Sequence, residues 1–367
     1  INASTGGVSI TGTDDITIAN TGGITATGAS NIDIDASAGH IFSDAADDDA
    51  AEIITAGGTI SLEARDGIAD SSGADGFEID SGGGNVTLVA DGTGAVFVDY
   101  VAADADALTL ALTATAATGA MNYESAATGA LTLNAVSTAG NAVTISHAGD
   151  IAATSVTTTT GNQTISTSSG DIALLGTANP AIDLTTGALE LTASGAITVT
   201  TNAANTDIST DGNVALHATG IGATNSLDIG LDADGGTLTV DSNGNAAVDI
   251  DAAANTAFAA VTITQAVADN SIDIANATAG DLVDINGAAG GVTLNSVIMT
   301  NDGAAFTYTL EEAAHTIAVT DINASTGAVN ITGTDDITIN NTGSITATGA
   351  SNIDIDASAG HIRSNAA

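Results

Sequence analysis

The side chains that come closest to the spacing of a metal-binding loop lie between residues 232 and 245. Aspartate and asparagine oxygens at alternating positions are ligands that Ca²⁺ prefers. In the loop that starts at Asp241, however, the sixth and twelfth positions are Ala246 and Ala252 instead of glycine and glutamate. We therefore predict at most a weak Ca²⁺ site, with solvated turn acids as the competing interpretation. Its ligands would be Asp232, Asp234, Asp241, Asn243 and Asn245.

Stacked acids elsewhere in the chain favour looser cation binding. The pairs Asp14/Asp15 and Asp33/Asp35 and the run at 47–49 would repel their neighbours unless salt or divalent ions screened them. We expect no required cofactor, with Ca²⁺ or another divalent cation as the ion that could bind.

Catalytic chemistry has weaker support. Paired carboxylates can cleave glycosidic bonds, but the acids of this chain form no distinctive pair, and Arg65 is the one basic residue of residues 1–321. The five histidines are scattered, at positions 40, 147, 217, 315 and 361. We predict that the chain is not an enzyme and keep a carbohydrate-active enzyme as a minor alternative. Ice binding is another, because Thr-x-Thr pairs such as Thr25/Thr27 recur, although Asp, Asn and Ala interrupt the series.

Composition excludes several classes of function. With 44 acidic and two basic residues the net charge is -42, so the chain lacks the Lys and Arg that nucleic-acid backbones require. Without cysteine it can form no disulfide. No apolar run approaches the roughly 20 residues of a membrane span. Because 44% of the residues are hydrophobic, the chain nevertheless has enough apolar surface to fold around a thin aliphatic core.

The opening of the chain recurs near its end. Residues 1–46 and 322–367 are identical at 40 of 46 positions, so that Ile322 corresponds to Ile1. Repetition at a fixed offset is typical of tandem arrays. We predict that residues 1–321 form one module and that residues 322–367 begin the next copy. Among the six differences, Phe42 corresponds to Arg363, which indicates that position 42 faces outward.

A second, shorter rhythm runs inside the module. Aliphatic residues alternate with polar ones in short triplets separated by Gly, Asn, Asp or Ser, as in Val8/Ile10, Ile16/Ile18, Ile24/Ala26 and Ile32/Ile34. Alternation with period two predicts strands with one buried face. Such short strands are typical of a solenoid, in which each coil is covered by its neighbours. The segment 99–107 breaks the rhythm and is predicted to be a projecting turn.

These patterns predict an all-β fold, a single-stranded parallel β-helix (β-solenoid). Three strands of about eight residues give a coil of about 24 residues and roughly 13 to 16 coils per module. We expect a right-handed coil.

The triplets also resemble a known repeat. Segments such as GGVSITGTDDITIANTGGITATGASNIDIDASAGHI and TTTTGNQTISTSSGDIALL are similar to the filamentous-haemagglutinin type of repeat, found in large bacterial adhesins and autotransporter passenger domains. The resemblance implies a secreted, elongated β-helix that attaches to surfaces.

The leading functional hypothesis is a structural repeat of a giant secreted or cell-surface protein. It would form an extracellular fibre, sheath, surface layer or adhesin stalk, by end-to-end or lateral association of copies of the same repeat. The alternative is an adhesin that binds a glycan or a cell surface. The expected localisation is extracellular or at the cell surface.

Overall fold

The structure is a computed structural model of the 367-residue chain. It describes all residues except 20–22, 44–49, 71–75, 116–118, 176–179, 201–205, 223–224, 226, 232–235, 243–247, 253–255, 266–271, 276–282, 286–290, 295–296, 299–306, 313–315, 324–327, 334–335, 347–351 and 365–367. The described residues form strands and turns and contain no helix.

The chain divides into two compact units, residues 1–172 and 173–367. The strands of the first unit are β1 (Asn2–Ala3), β2 (Val8–Gly12), β3 (Ile16–Ile18), β4 (Ile24–Ala26), β5 (Ile32–Ala36), β6 (His40–Ser43), β7 (Ile53–Thr55), β8 (Ile60–Ala64), β9 (Gly67–Asp70), β10 (Phe77–Asp80), β11 (Asn85–Ala90), β12 (Val96–Tyr100), β13 (Leu108–Ala114), β14 (Met121–Ser125), β15 (Leu131–Thr138), β16 (Val143–His147), β17 (Ile151–Ala153), β18 (Val156–Thr158) and β19 (Gln163–Thr167).

The strands that follow have the same pattern of short segments and turns. They are β20 (Ile172–Leu174), β21 (Ile182–Leu184), β22 (Leu189–Ala193), β23 (Ile197–Val199), β24 (Ile208–Thr210), β25 (Val214–Ala218), β26 (Leu227–Leu231), β27 (Gly236–Ser242), β28 (Val248–Ala252), β29 (Thr256–Gln265), β30 (Ile272–Ala275), β31 (Val283–Ile285), β32 (Gly291–Leu294), β33 (Val297–Ile298), β34 (Thr307–Glu312), β35 (Thr316–Asn323), β36 (Ala328–Gly333), β37 (Ile337–Thr346), β38 (Ile353–Ala357) and β39 (Ile362–Ser364).

Strands pair in parallel with the strand that occupies the same place one coil later. In the first unit one ladder runs β1-β4-β7-β10-β12-β14-β16-β19, and a second runs β2-β5-β8-β11-β13-β15. Val8 pairs with Ile32, whereas Val143 pairs with Gln163 over a shorter coil. The second unit has corresponding ladders, β22-β25-β27-β29-β31 among them.

This arrangement confirms the predicted parallel β-solenoid. The stacked strands amount to about nine turns, fewer than the 13 to 16 coils predicted for a module. That predicted count includes stretches outside the described residues, so the number of coils per module stays a prediction. The handedness of the coil stays a prediction as well.

Alternation of side chains explains why these residues form strands. In β13, Leu108, Leu110 and Leu112 point inward and are at most 2% exposed, while Thr109 and Ala111 between them are half-buried on the outer face. Each fully buried aliphatic side chain contributes about 1.5–3 kcal/mol to folding. The interior also contains side chains larger than the small aliphatic residues predicted for a thin core, since Phe77, Tyr100 and Tyr123 are all at most 1% exposed.

Glycines at the corners let successive coils approach each other closely. A Cβ atom on Gly84 would lie 1.7 Å from the carbonyl oxygen of Gly58 in the coil before it, and one on Gly119 would lie 1.9 Å from that of Gly94. Neither distance leaves room for a side chain. The recurring glycines of the sequence therefore mark corners where backbone packs directly on backbone.

The two copies of the repeated segment fold alike where both are described. Val8 pairs with Ile32 in the first copy and Val329 with Ile353 in the second, which preserves the register. The second copy also continues the ladders of the coil before it. β34 pairs with β36, and β35 itself runs from Thr316 into the start of the second copy at Asn323.

Candidate functional site

The residues predicted to bind Ca²⁺ are only partly described. Asp232, Asp234, Asn243 and Asn245 lie outside the described residues. Asp241 lies in β27, where it pairs in register with His217 of β25, and its Oδ2 is 3.7 Å from the Nδ1 of that histidine. Within the described ranges no three His, Cys, Asp or Glu side chains are arranged to hold a metal ion. The calcium site therefore stays a prediction.

The predicted stacking of acids is present on the outer face of the first unit. Asp35 of β5 and Glu63 of β8 are partners in adjacent strands, as are Asp33 and Ser61. A hydrogen bond with Asp91 is the largest cause of a raised pKa at Glu63, followed by burial and by the negative charges of Asp91 and its other acidic neighbours. The hydrogen bond with Asp91, burial and the surrounding negative charge thus all favour the protonated acid. The acids at 47–49 lie outside the described residues.

Both copies of the repeated segment form the same contact between histidine and aspartate. His40 donates its backbone N–H to Asp15 Oδ1 over 2.9 Å, and His361 donates to Asp336 Oδ1 over 2.8 Å. In each copy the imidazole Nδ1 lies 3.1 Å from the same carboxylate oxygen. The backbone hydrogen bond is the main reason why the pKa of Asp15 and of Asp336 lies below its ordinary value.

Position 42 faces outward, as the repeat comparison predicts. In β6, Ile41 and Ser43 are fully buried while Phe42 between them is half-buried, with its ring edge-on to that of His40. In the second copy Arg363 takes this place and lies 2.9 Å from Asp336 Oδ2.

A groove of about 570 Å³ lies on the first unit. It lies where β12, β14 and β16 end and is lined by the last residues of these strands, the residues that follow them, and Ser168 after β19. Because the strands are parallel and in register, equivalent positions of successive coils line up along it. We name it the strand-end groove.

The floor of the strand-end groove is polar although its residues point inward. Tyr100, Ser125 and His147 are paired in register at the ends of β12, β14 and β16. Their exposed fractions are 1%, 8% and 1%. Because side chains alternate along each strand, these three positions point into the interior. The inward-facing residues two positions earlier in the same strands belong to the apolar core. Those residues are Val98, Tyr123 and Ile145.

His147 is held in one tautomer. Its Nε2 lies 2.7 Å from the carbonyl oxygen of Gly129, which can only accept, so Nε2 carries the proton and Nδ1 keeps a lone pair. Among the residues that the structure describes, Nδ1 has no hydrogen-bond partner. Burial is the main cause of a pKa below the ordinary value for this histidine, so the imidazole is neutral at pH 7.

Tyr100 contributes an oxygen whose proton is already engaged. Its hydroxyl donates to Asp80 Oδ1 over 3.2 Å. Burial, followed by the negative charge of Asp80, raises the pKa of Tyr100 to about 12. The hydroxyl therefore stays protonated, and its remaining lone pairs can act only as acceptors.

The rim of the groove carries carboxylates. Asp99 of β12 pairs with Glu124 of β14, and Glu124 pairs with Ser146 of β16. The same register continues backwards to Glu78 of β10. Glu78 also donates its backbone N–H to Glu52 Oε2 over 3.1 Å. A column of acids on successive coils therefore leads to the groove.

Sequence reasoning does not find this site. The break in rhythm at 99–107 predicts a projecting turn, which is wrong at its start, because Asp99 and Tyr100 complete β12 and only the residues after them leave the ladder. His147 looks like one of several scattered histidines. The signal that could have found the groove is the coil period, which places Glu124 one coil after Asp99 and Ser146 one coil after Glu124.

No protein-family model, curated protein or solved structure matches this chain. The parallel β-solenoid is consistent with β-helix proteins of the adhesin type, so the resemblance to filamentous haemagglutinin rests on fold and repeat pattern alone. Among the described strands and turns, nothing forms a helix with the length and apolar character that crossing a membrane requires.

Proposed function

We propose that this chain is a structural repeat of a giant secreted or cell-surface protein, which builds an extracellular fibre, sheath, surface layer or adhesin stalk. The observation that carries the proposal is the continuity of the second copy. Val297 of β33 pairs with Ile322, and Ile322 pairs in turn with Ile345. The repeat thus begins inside a ladder that is already running, and modules would follow each other without a break in the backbone hydrogen bonds.

The role of such a protein is mechanical. Ladder hydrogen bonds run from coil to coil, and stacked aliphatic ranks such as Ile34, Leu62 and Leu88 bury the interior. The outer face carries acids and threonines, and a net charge of -42 keeps neighbouring fibres apart unless cations screen it. The absence of lysine leaves almost no cleavage sites for trypsin-like proteases, which suits an exposed fibre.

Tandem proteins of one, two and three modules test the proposal, imaged by negative-stain electron microscopy. We expect unbranched rods that lengthen by on the order of 65 Å per module, from about 13 coils with the strand spacing of about 4.8 Å. A matched control removes half a coil at the junction, which would destroy the register and break the rod there. Particles whose length does not grow with module number would refute the proposal.

A further inference from the structure

The first and the last described coils each have an open ladder edge. Among the strands that the structure describes, β2 and β3 pair only with β5 and β6, and β38 and β39 pair only with β36 and β37. We name the open edge of β2 and β3 the head face and that of β38 and β39 the tail face. An unpaired edge presents backbone N–H and C=O groups to which another chain can add.

The tail face exposes aliphatic side chains that the same fold buries elsewhere. Ile353 is 44% exposed and Ile362 is 51% exposed. Their equivalents in the first copy, Ile32 and Ile41, are both 0% exposed, because β8 and β9 of the next coil cover them. A solenoid end that stays in solvent needs a polar outer face, and the tail face does not have one.

The head face shows the same contrast in the opposite direction. Ile10 of β2 and Ile16 of β3 are half-buried. Their equivalents in the second copy, Ile331 and Ile337, are 1% and 0% exposed and lie on β34 and β35 of the coil before them. Each face therefore occurs once open and once covered, and the covered copy shows which kind of strand it accepts.

The strand that covers the head-face position in the second copy is β34. Its Leu310 pairs in register with Ile331, and its Glu311 pairs with Thr332. A strand that fits this position thus carries an aliphatic residue followed by an acidic one. The tail-face strand β38 has the same order, since its sequence is IDIDA.

We propose that the tail face of one molecule docks on the head face of a second copy of this chain. In the register of β34 with β36, β38 places Ile355 opposite Ile10 and Asp356 opposite Thr11, and β39 places Ile362 opposite Ile16. The acids of β38 then face the hydroxyl residues of β2 and not other acids. Such contacts are heterologous and open-ended, so the copies form linear chains.

Charge and size set the strength of this docking. Each copy carries a net charge of -42, so copies repel each other at low ionic strength. In about 1 M salt the Debye length is about 3 Å, which screens the repulsion and leaves the apolar contact intact. The end of a single coil is a small interface, which makes the association weak and reversible. The inference rests on the proposed function, because docking would extend a fibre beyond one covalent chain.

Sedimentation velocity of the full chain tests the docking at micromolar to submillimolar concentrations, at low salt and in about 1 M NaCl. We expect a series of species at multiples of the monomer mass, which grows with protein concentration and with salt. Ile362→Asp places a charge on the tail face. Ile54→Asp is the matched control, because Ile54 is 37% exposed on the outer side of β7, away from both faces.

We expect Ile362→Asp to weaken association by at least about tenfold, as for the loss of one buried aliphatic contact. Ile54→Asp should change it by less than about twofold. Circular dichroism should give both variants the spectrum of the parent chain.

Disulfide trapping locates the contact without altering the apolar residues. The chain has no cysteine, so Thr11→Cys molecules can be mixed with Asp356→Cys molecules. Paired positions in adjacent strands are about 4.8 Å apart, which permits a disulfide. We expect the mixed dimer to form faster than the dimer of Thr11→Cys with Asp183→Cys, whose cysteine lies at an exposed position of β21.

Three results would overturn the proposal. The first is a monomer at every concentration and salt, and the second is equal weakening by Ile362→Asp and Ile54→Asp. The third is equal trapping of Thr11→Cys by Asp356→Cys and Asp183→Cys. Monomeric single chains together with tandem rods that lengthen per module would refute only the docking. Tandem proteins that do not lengthen would refute the proposed function instead.

Discussion

Replacing Asp207 by asparagine should stabilise the protein at neutral and alkaline pH. Asp207 precedes β24 and is 4% exposed, and burial raises the pKa of its carboxyl from 3.8 to about 6. Its Oδ2 accepts the backbone N–H of Asp228 on the next coil over 3.0 Å. Asparagine is nearly isosteric and keeps an acceptor for that N–H, so Asp207→Asn removes the buried charge and little else.

The size and sign of the effect follow from the shift of the pKa. Because the pKa of the Asp207 carboxyl is raised in the folded state, its contribution to stability is fully present below pH 3.8. That contribution is lost as the pH rises through about 6. A shift of about two units corresponds to at most about 3 kcal/mol. Local relaxation and water penetration reduce this, so we expect Asp207→Asn to gain about 1–2 kcal/mol at pH 8. At pH 5 the gain should fall to about half, because the folded carboxyl is then mostly protonated.

Hydrogen exchange of the amides in β24 and β26 is the appropriate assay, because repeat proteins open locally as well as globally. Denaturant midpoints at pH 5 and pH 8 provide a second measurement. Asp183→Asn is the control, since it removes one charge from an exposed position of β21 in the same unit. The reasoning is refuted if Asp207→Asn destabilises the protein at pH 8, if its gain does not change with pH, or if Asp183→Asn gives the same gain.

Further predictions concern the corners, the acids, the buried histidine and the coil itself. Gly84→Ala should cost more than about 2 kcal/mol in a denaturant melt because its Cβ would meet a carbonyl at 1.7 Å, whereas Gly6→Ala, with nothing within 4 Å, should be nearly neutral. Glu63→Gln should raise the denaturant midpoint at pH 7, because the hydrogen bond with Asp91, burial and the charges of neighbouring acids raise the pKa of Glu63 and glutamine removes the disfavoured charge; a lower midpoint would contradict this. Burial lowers the pKa of His147. The stability that its neutral imidazole contributes to the fold is therefore present above pH 6.5 and lost as the pH falls through the lowered pKa. The protection factors of the β16 amides, which correct exchange for its intrinsic pH dependence, should therefore fall on acidification, and His147→Gln should reduce that fall. Deleting residues 143–162, one whole coil, should leave a folded protein by circular dichroism, while deleting only the first half of that coil should not.

The fold could be predicted from sequence because each strand corresponds to a short alternating pattern that recurs along the chain. Alternating pairs such as Val8/Ile10 and Ile32/Ile34 indicate the strands, and their regular spacing gives the coil, which the pairing of Val8 with Ile32 confirms. Shorter coils, such as the one that separates Val143 from Gln163, are harder to predict. They depend on the lengths of the turns between their strands, which no single period reveals.

The strand-end groove could not be predicted in the same way. Its residues come from successive coils, and each looks unremarkable in its own segment. Tyr100 lies where the aliphatic rhythm breaks, so the sequence predicts a turn there, but its hydroxyl finds Asp80 on the preceding coil. The environment of His147 likewise depends on Gly129 of the coil before it. Such contacts follow from the offset between coils, which differs from one coil to the next.

The pairing of strands between neighbouring coils has a consequence for a protein under tension. The ladder hydrogen bonds between coils, such as those joining β11 to β8 and β13, lie along the direction in which coils stack. A pulling force in that direction would open one inter-coil ladder at a time instead of shearing many together. Each coil of about 24 residues would then release roughly 80 Å of extended chain. The solenoid would thus lengthen in discrete steps and dissipate the load coil by coil, while the coils beyond the opening point stayed folded.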